Sequence, residues 1–233
     1  MNILITGASK GIGKEIANEL KNIGSIFITG RNESALKEIG ASAYCVCDLS
    51  ENIEQLKNFI IDNQIDILIN NAGEYIYGGL ETLSDTNIQR LYKTNLISPA
   101  ELCACSIPYM KTKKWGRIIN IGSISGVMGE AYASIYSSSK AGLIGLTKAL
   151  ALELAEYNIT VNTINPGWVE TELGLNSIEE SDFSKEEIID CIPQKRFVKP
   201  QEIAALCKYL ISENSKGITG QSINICAGLS IGV

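Results

Sequence analysis

Histidine is absent from the 233 residues. Its absence excludes Ser-His-Asp and Cys-His catalysis, histidine general bases and His-ligated zinc. Acid–base chemistry is left to Tyr, Lys, Asp, Glu or Cys. No Cys-x-x-Cys pair occurs among the seven cysteines, an odd number, so no metal site is expected. Cys45 and Cys47 alternate along an expected strand and read as small apolar core residues. Free thiols of this kind suit a reducing cytoplasm. Aromatic residues are scarce at 6% and the net charge is −6, so the chain offers neither a base-stacking platform nor a basic face, and no nucleic-acid partner is expected. No basic leader precedes the first apolar run. The most apolar stretch, 141–155, carries Lys148 and Glu153 and is too short to cross a bilayer, so no membrane partner is expected.

What the chain does have is 45% hydrophobic residues at a length that buries a sizeable core. Short β-rich runs at 2–6, 25–29, 43–47, 66–70, 116–122, 160–165 and 222–226 alternate with helical patterns near 11–23, 52–62, 84–113, 136–157 and 200–213. This alternation predicts an α/β fold, a doubly wound parallel β-sheet of about seven strands flanked by helices on both faces. The runs NILIT, IDILIN and RIINI are near-continuously apolar, as strands covered on both faces require. No repeat or linker divides 1–233, so a single domain is expected. One segment interrupts the alternation. Residues 172–196 are polar and carry seven acids: Glu172, Glu179, Glu180, Asp182, Glu186, Glu187 and Asp190. A long excursion in a compact fold reads as a substrate loop or lid, or as a solvated surface insertion.

The first strand runs into Thr6-Gly7-Ala8-Ser9-Lys10-Gly11-Ile12-Gly13, which opens the first helix. Gly7 permits a tight turn, Gly11 lets backbone approach a pyrophosphate, and Gly13 allows close helix–strand packing. The helix N-terminus adds free N–H groups and a positive dipole end. A bare strand-to-helix turn explains three glycines too, but the position at the first such junction favours a dinucleotide. At the end of the second strand an NAD site places an acid roughly 20 residues on. Here Gly30-Arg31-Asn32 follows instead. Arg31 can pair bidentately with a 2′-phosphate, and Lys10 adds a second cation, which favours NADPH/NADP+; the alternative for Arg31 is a solvated loop residue. Asp48-Leu49 ends the third strand, where Asp48 can accept from an adenine amino group and Ser50 is the better cap for the next helix. Asn71-Ala72-Gly73 ends the fourth, small enough for backbone to pass under a ribose.

Tyr136 and Lys140 stand four apart at the start of a helix and therefore share a face. A nearby ammonium lowers a tyrosine pKa from its usual value near 10. Ser123, 13 residues before Tyr136, ends the strand RIINIG, at the edge of the sheet where doubly wound folds bind ligands.

Taken in order, TGASKGIG (6–13), CDL (47–49), NNAG (70–73), KTN (93–95), NIGSISG (120–126), YSSSK (136–140) and NPGWVET (165–171) resemble the short-chain dehydrogenase/reductase family, a Rossmann-type fold, over essentially the whole chain. The finer likeness is to its 3-oxoacyl-[acyl-carrier-protein] reductases. The resemblance implies that Tyr136 is the general acid of carbonyl reduction and that Ser123 hydrogen-bonds the carbonyl oxygen. It implies that Lys140 holds the nicotinamide ribose and lowers the Tyr136 pKa, and that Asn95 bonds a water that relays protons to Lys140. Pro166, Gly167, Val169 and Thr171 then follow the sixth strand, with Val169 backbone at the carboxamide and Thr171 at the pyrophosphate. Trp168 walls the substrate site or packs in the core. The family's near-terminal DGG is Cys226-Ala227-Gly228 here, so the last turn is expected to differ.

The implied substrate is a small molecule or an acyl thioester, on coenzyme A or on an acyl carrier protein. An acidic carrier needs a basic patch, for which Lys111, Lys113, Lys114 and Arg117 are candidates; a solvated helix end explains them as well. Other readings are a reductase of another ketone, sugar, steroid or quinone, and a non-catalytic NADP-binding regulator. The helix at 136–157 carries Leu143, Ile144, Leu146, Leu150, Leu152 and Leu154, more than one apolar stripe needs. Its surplus reads as core or as an interface, and the resemblance implies a homotetramer.

Overall fold

The computed structural model describes residues 1–179 and 183–231. Seven strands form one sheet: β1 Asn2–Thr6, β2 Ser25–Gly30, β3 Ala43–Val46, β4 Ile67–Asn70, β5 Gly116–Ile121, β6 Ile159–Pro166 and β7 Ser222–Ile225. Their order is β3-β2-β1-β4-β5-β6-β7, with every pair parallel. The chain winds outward from β1 to β3, then returns to lay β4 on the other side of β1. The resulting switch point opens a crevice at the carboxyl ends of β1 and β4.

Alternation along β1 sends Ile3 and Ile5 to one face and Leu4 to the other, all fully buried. The Ile3 face is covered by α1 (Gly11–Leu20), α2 (Glu33–Ile39) and α10 (Pro200–Leu210); the Leu4 face by α3 (Glu54–Asp62), α5 (Ser98–Lys113) and α7 (Ser134–Leu154). Each Leu or Ile so buried contributes about 1.5–3 kcal/mol. A buried polar ladder then fixes α7 on the sheet. Asn70 donates to Asn120 at 2.9 Å, Asn120 donates to Thr147 at 2.8 Å, and Thr147 shares a hydrogen with Thr163 at 2.7 Å. Lys140, Leu143, Thr147, Leu150 and Leu154 recur on the buried face of α7, so this ladder also sets the height of Lys140.

Several expectations are corrected. The helix expected at 84–113 is two: α4 (Asp85–Tyr92) and α5, joined by a π-helical turn at Lys93–Ile97. Pro99 has no N–H for the carbonyl four residues back, which loosens the α pattern there. Helix α2 was unforeseen, although Asn32 caps it by accepting from Ala35 N and Gly40 ends it at φ 68°. Ser50 caps no helix, because α3 begins at Glu54 after Ile53. The 172–196 excursion is helical where described, with α8 (Glu172–Glu179) and α9 (Lys185–Cys191). Its acids Glu180 and Asp182 lie outside the described residues. A short α6 (Ser125–Met128) follows Ser123.

The expected basic patch loses Arg117, while Lys111, Lys113 and Lys114 stay at least partly exposed. Arg117 is fully buried, donates to the Gly116 and Asn158 carbonyls, and lies over the Trp115 ring. Lys113 is held by Asp66. All four residues sit at the amino end of β5, opposite the edge where Ser123 stands.

Candidate active site

The glycine turn is built by close approach. Gly7 has φ 65°, and a Cβ there would come within 2.8 Å of the Ala72 backbone. A Cβ on Gly13 would meet the Gly7 carbonyl at 2.4 Å, so α1 starts directly beneath the turn. Asn71 ties β4 to this turn, donating through its amide to Thr6 O at 2.8 Å. No side chain caps α1 and no acid occupies its first turn. Its leading N–H groups therefore remain available to an anion.

One cavity of about 910 Å³ lies over the switch point. It is lined by Gly7, Ser9, Lys10, Gly11 and Ile12 from the turn, Arg31, Asp48 and Leu49 from the β2 and β3 ends, and Asn71, Ala72 and Gly73 from β4. Ser123, Tyr136, Lys140, Pro166, Gly167, Val169 and Thr171 complete it. Of the residues expected from sequence, Gly13 and Asn95 stand behind this lining: Gly13 under the turn, Asn95 fully buried in the π-helical segment. Asn95 accepts from Glu74 N and donates to Glu74 O, both at 2.8 Å, and donates to Ser139 at 3.2 Å. It thereby pins the backbone that follows Gly73. Trp168 serves both expected purposes, lining the cavity while stacked on Phe197 at 6.0 Å. At the altered last turn, Ala227 takes φ 54° and Gly228 φ 91°.

Both cations expected at a 2′-phosphate already face carboxylates. Arg31 lies 3.7 Å from Asp48, and Lys10 lies 2.7 Å from Glu172 at the head of α8. Lys10, Glu172 and Arg31 are exposed and Asp48 is half-buried, so both contacts are weak and exchangeable. Asp48 also accepts from Ser50 N and Ser50 Oγ. Burial works to raise its pKa, but those bonds and Arg31 outweigh it, leaving the carboxyl below its ordinary value.

Burial pushes Tyr136 up to about 12, against a hydrogen bond with Ser123 that lowers it, and Glu130 raises it further. This corrects the expectation that Lys140 lowers the tyrosine. The ammonium is 5.7 Å from the Tyr136 ring centre, with its hydrogen bond directed to Ile121 O at 2.9 Å. Burial instead brings Lys140 itself down to about 8. An ammonium has three donors; the bond to Ile121 uses one. This buried cation and the uncapped helix N-terminus at the other end of the cavity fit a dinucleotide with ribose hydroxyls and a pyrophosphate.

Sequence reasoning missed the substrate end. Glu130 and Ser125 line the cavity, with Tyr75, Tyr77 and Tyr132. Ser125 lies in the motif at 120–126 and begins α6, whereas Glu130 and the three tyrosines come from loops with no periodic or motif signal. Among the described residues, no cluster of three or more His, Cys, Asp or Glu could hold a metal, and no helix is long and apolar enough to cross a membrane.

The chain matches the family model described as short chain dehydrogenase over residues 1–182. The 3-oxoacyl-[acyl-carrier-protein] reductase FabG of Rickettsia bellii is 37% identical, covering 97% of this chain and 95% of its own length. Among solved structures, the actinorhodin polyketide ketoreductase with NADPH superposes at TM-score 0.92 with 35% identity, over 99% of this chain and 97% of that one. YwfH, an NADPH dependent reductase involved in bacilysin biosynthesis, reaches the same TM-score at 27% identity, over 100% and 99%. The chain belongs to the short-chain dehydrogenase/reductase family, and it is an oxidoreductase.

Proposed function

We propose that this enzyme reduces a ketone to a secondary alcohol with NADPH, and that the ketone is a 3-oxoacyl thioester leaving as its 3-hydroxyacyl form. The observation that carries the reading is the convergence of Ser123, Tyr136 and Lys140 on the cavity that also holds the glycine turn. When bound, NADPH supplies the hydride for the carbonyl carbon.

The chain's residues do the rest. Tyr136 stays protonated far above neutral pH, so it is an acid that can give its phenolic proton to the developing alkoxide oxygen. Ser123 Oγ, which accepts from Ser125 N at 3.1 Å and donates to Ser125 Oγ at 3.0 Å, turns its hydrogen to that oxygen. Lys140 holds the ribose hydroxyls, and Arg31 and Lys10 leave their carboxylates for the 2′-phosphate. Gly11 and Ile12 at the head of α1 meet the pyrophosphate with Thr171, and the Val169 backbone meets the carboxamide. Asn95 keeps the Gly73–Glu74 backbone in place beside Lys140.

Its compartment is reducing, in keeping with seven free cysteines, and its assembly is a homotetramer that covers Leu152 on α7, which stands 84% exposed. The test is NADPH oxidation with acetoacetyl-CoA beside simple ketones. A higher kcat/KM for the thioester supports the proposal; turnover of the simple ketones alone discards the thioester.

Lys140 gives a pH signature. With its pKa near 8, it is an ammonium at pH 7 and largely an amine at pH 9.5. Charge-assisted bonds to the ribose weaken with it, so NADPH affinity is expected to fall by about tenfold across that interval. The Kd profile of Lys140→Met should start weaker and run flat. A flat wild-type profile would contradict the assignment.

A further inference from the structure

Among the described residues, five acids line the cavity: Asp48, Glu74, Glu130, Glu172 and Glu187. Three of them face cations. Asp48 faces Arg31, Glu172 faces Lys10, and Glu74 is matched by Arg90 at 2.7 Å. Glu187 closes the capping box of α9 with Ser184. Glu130 has no Lys or Arg at ion-pair distance among the described residues. Its partners are hydroxyls: Ser125 Oγ donates to Oε2 at 2.6 Å and Tyr75 OH donates to Oε1 at 2.8 Å.

These contacts place the charge beside the reacting groups. Ser125 is the residue bonded to Ser123 Oγ, and the Tyr75 ring meets the Tyr136 ring edge-on at 4.9 Å. Each carboxylate oxygen of Glu130 thus accepts one hydroxyl hydrogen, which fixes where the carboxylate sits. With both oxygens engaged, it cannot swing away from the pocket without breaking a bond. Any substrate whose carbonyl sits between Ser123 and Tyr136 therefore carries its neighbouring carbons past an uncompensated negative charge.

We propose that Glu130 is a specificity-determining residue, a charge filter that admits a 3-oxo group when its carboxyl is masked as a thioester or ester and rejects the free 3-oxo acid. The filter rests on the ketone-reductase reading. It gives that reading a reason to prefer thioesters: masking removes the one charge that the pocket repels. Two like charges in this setting repel strongly enough to separate the two substrates by about a hundredfold.

The test compares ethyl acetoacetate with acetoacetate, which share the reacting carbonyl and differ by one charge. The kcat/KM ratio of ester to acid is measured with NADPH for wild type, Glu130→Gln and Glu130→Asp, and the Kd of each ligand for the enzyme–NADP+ complex is measured alongside. Wild type should favour the ester by about a hundredfold. Glu130→Gln keeps the shape and should cut that ratio at least about tenfold, mainly through faster or tighter handling of the acid. Glu130→Asp keeps the charge and should retain the preference even where kcat falls; if the Gln variant loses NADPH binding, Glu130→Ala removes the charge in its place. A ratio unchanged by Glu130→Gln, or equal binding of both ligands by wild type, overturns the filter. Discrimination in binding that Glu130→Gln erases, with no turnover of either ligand, supports the filter and overturns the reductase reading.

Discussion

Tyr136→Phe is expected to lower kcat at least about 10³-fold while the Kd for NADPH stays within about threefold. The substitution removes one oxygen and keeps the ring, so the edge-on contact with Tyr75 and the start of α7 persist. What disappears is the proposed proton donor and its bond to Ser123. The neighbouring Tyr75 hydroxyl is already committed to Glu130, and Lys140 directs a hydrogen bond to Ile121 O. Stopped-flow turnover and fluorescence titration of NADPH separate the two effects. Near-normal turnover in the variant would remove Tyr136 from the acid role.

The second large effect concerns the far end of the cavity. Arg31→Asp should reduce the ratio of kcat/KM for NADPH over that for NADH by about a hundredfold. The guanidinium is exposed and loosely paired with Asp48, free to turn to a 2′-phosphate that offers a better bidentate partner. A carboxylate in its place adjoins Asp48 and repels the phosphate, while a ribose 2′-hydroxyl can donate to it. Losing a charge-assisted pair of this kind costs about 1.5–3 kcal/mol, and the new repulsion adds to it. An unchanged ratio would mean that the 2′-phosphate is read elsewhere, with Lys10 the next residue to replace. Lys10 reaches it only by leaving Glu172, so the same exchange loosens α8 from the glycine turn.

The strands were legible because burial on both faces leaves a signature that little else produces, as in Ile3-Leu4-Ile5 and Ile67-Leu68-Ile69. The glycine turn, Ser123, Tyr136 and Lys140 were legible because each lies at a strand end or helix start whose place the strand count already sets. Helix α2 carried its signals, Asn32 before it and Gly40 after it, but seven residues are too few to show a period. Helices α8 and α9 were hidden by polarity. Arg117 misled for a different reason: a charged residue beside Lys113 and Lys114 reads as surface, and only the fold reveals that its guanidinium lies on Trp115 with Glu213 at 3.4 Å. Position along the chain says nothing of that. The same holds for Glu130, whose meaning comes from Tyr75, 55 residues away, and from the cations it lacks.

The pKa of Lys140 also links site to stability. Folding brings it down to about 8, whereas the unfolded chain holds this proton to about 10.4. Between those values the unfolded state binds more protons, so this residue's contribution to stability rises with pH. Burial thus disfavours the charged form on which the proposed hold on the NADPH ribose depends.

The most direct test of the central claim is isotopic. Wild-type enzyme is mixed with NADPH carrying deuterium at both C4 positions of the nicotinamide and with acetoacetyl-CoA, and the product is examined by mass spectrometry. The account predicts 3-hydroxybutyryl-CoA with one deuterium on the carbinol carbon, formed by wild type and not by Tyr136→Phe. Tight NADPH binding without any deuterated alcohol, from this thioester or from simple ketones, would contradict it.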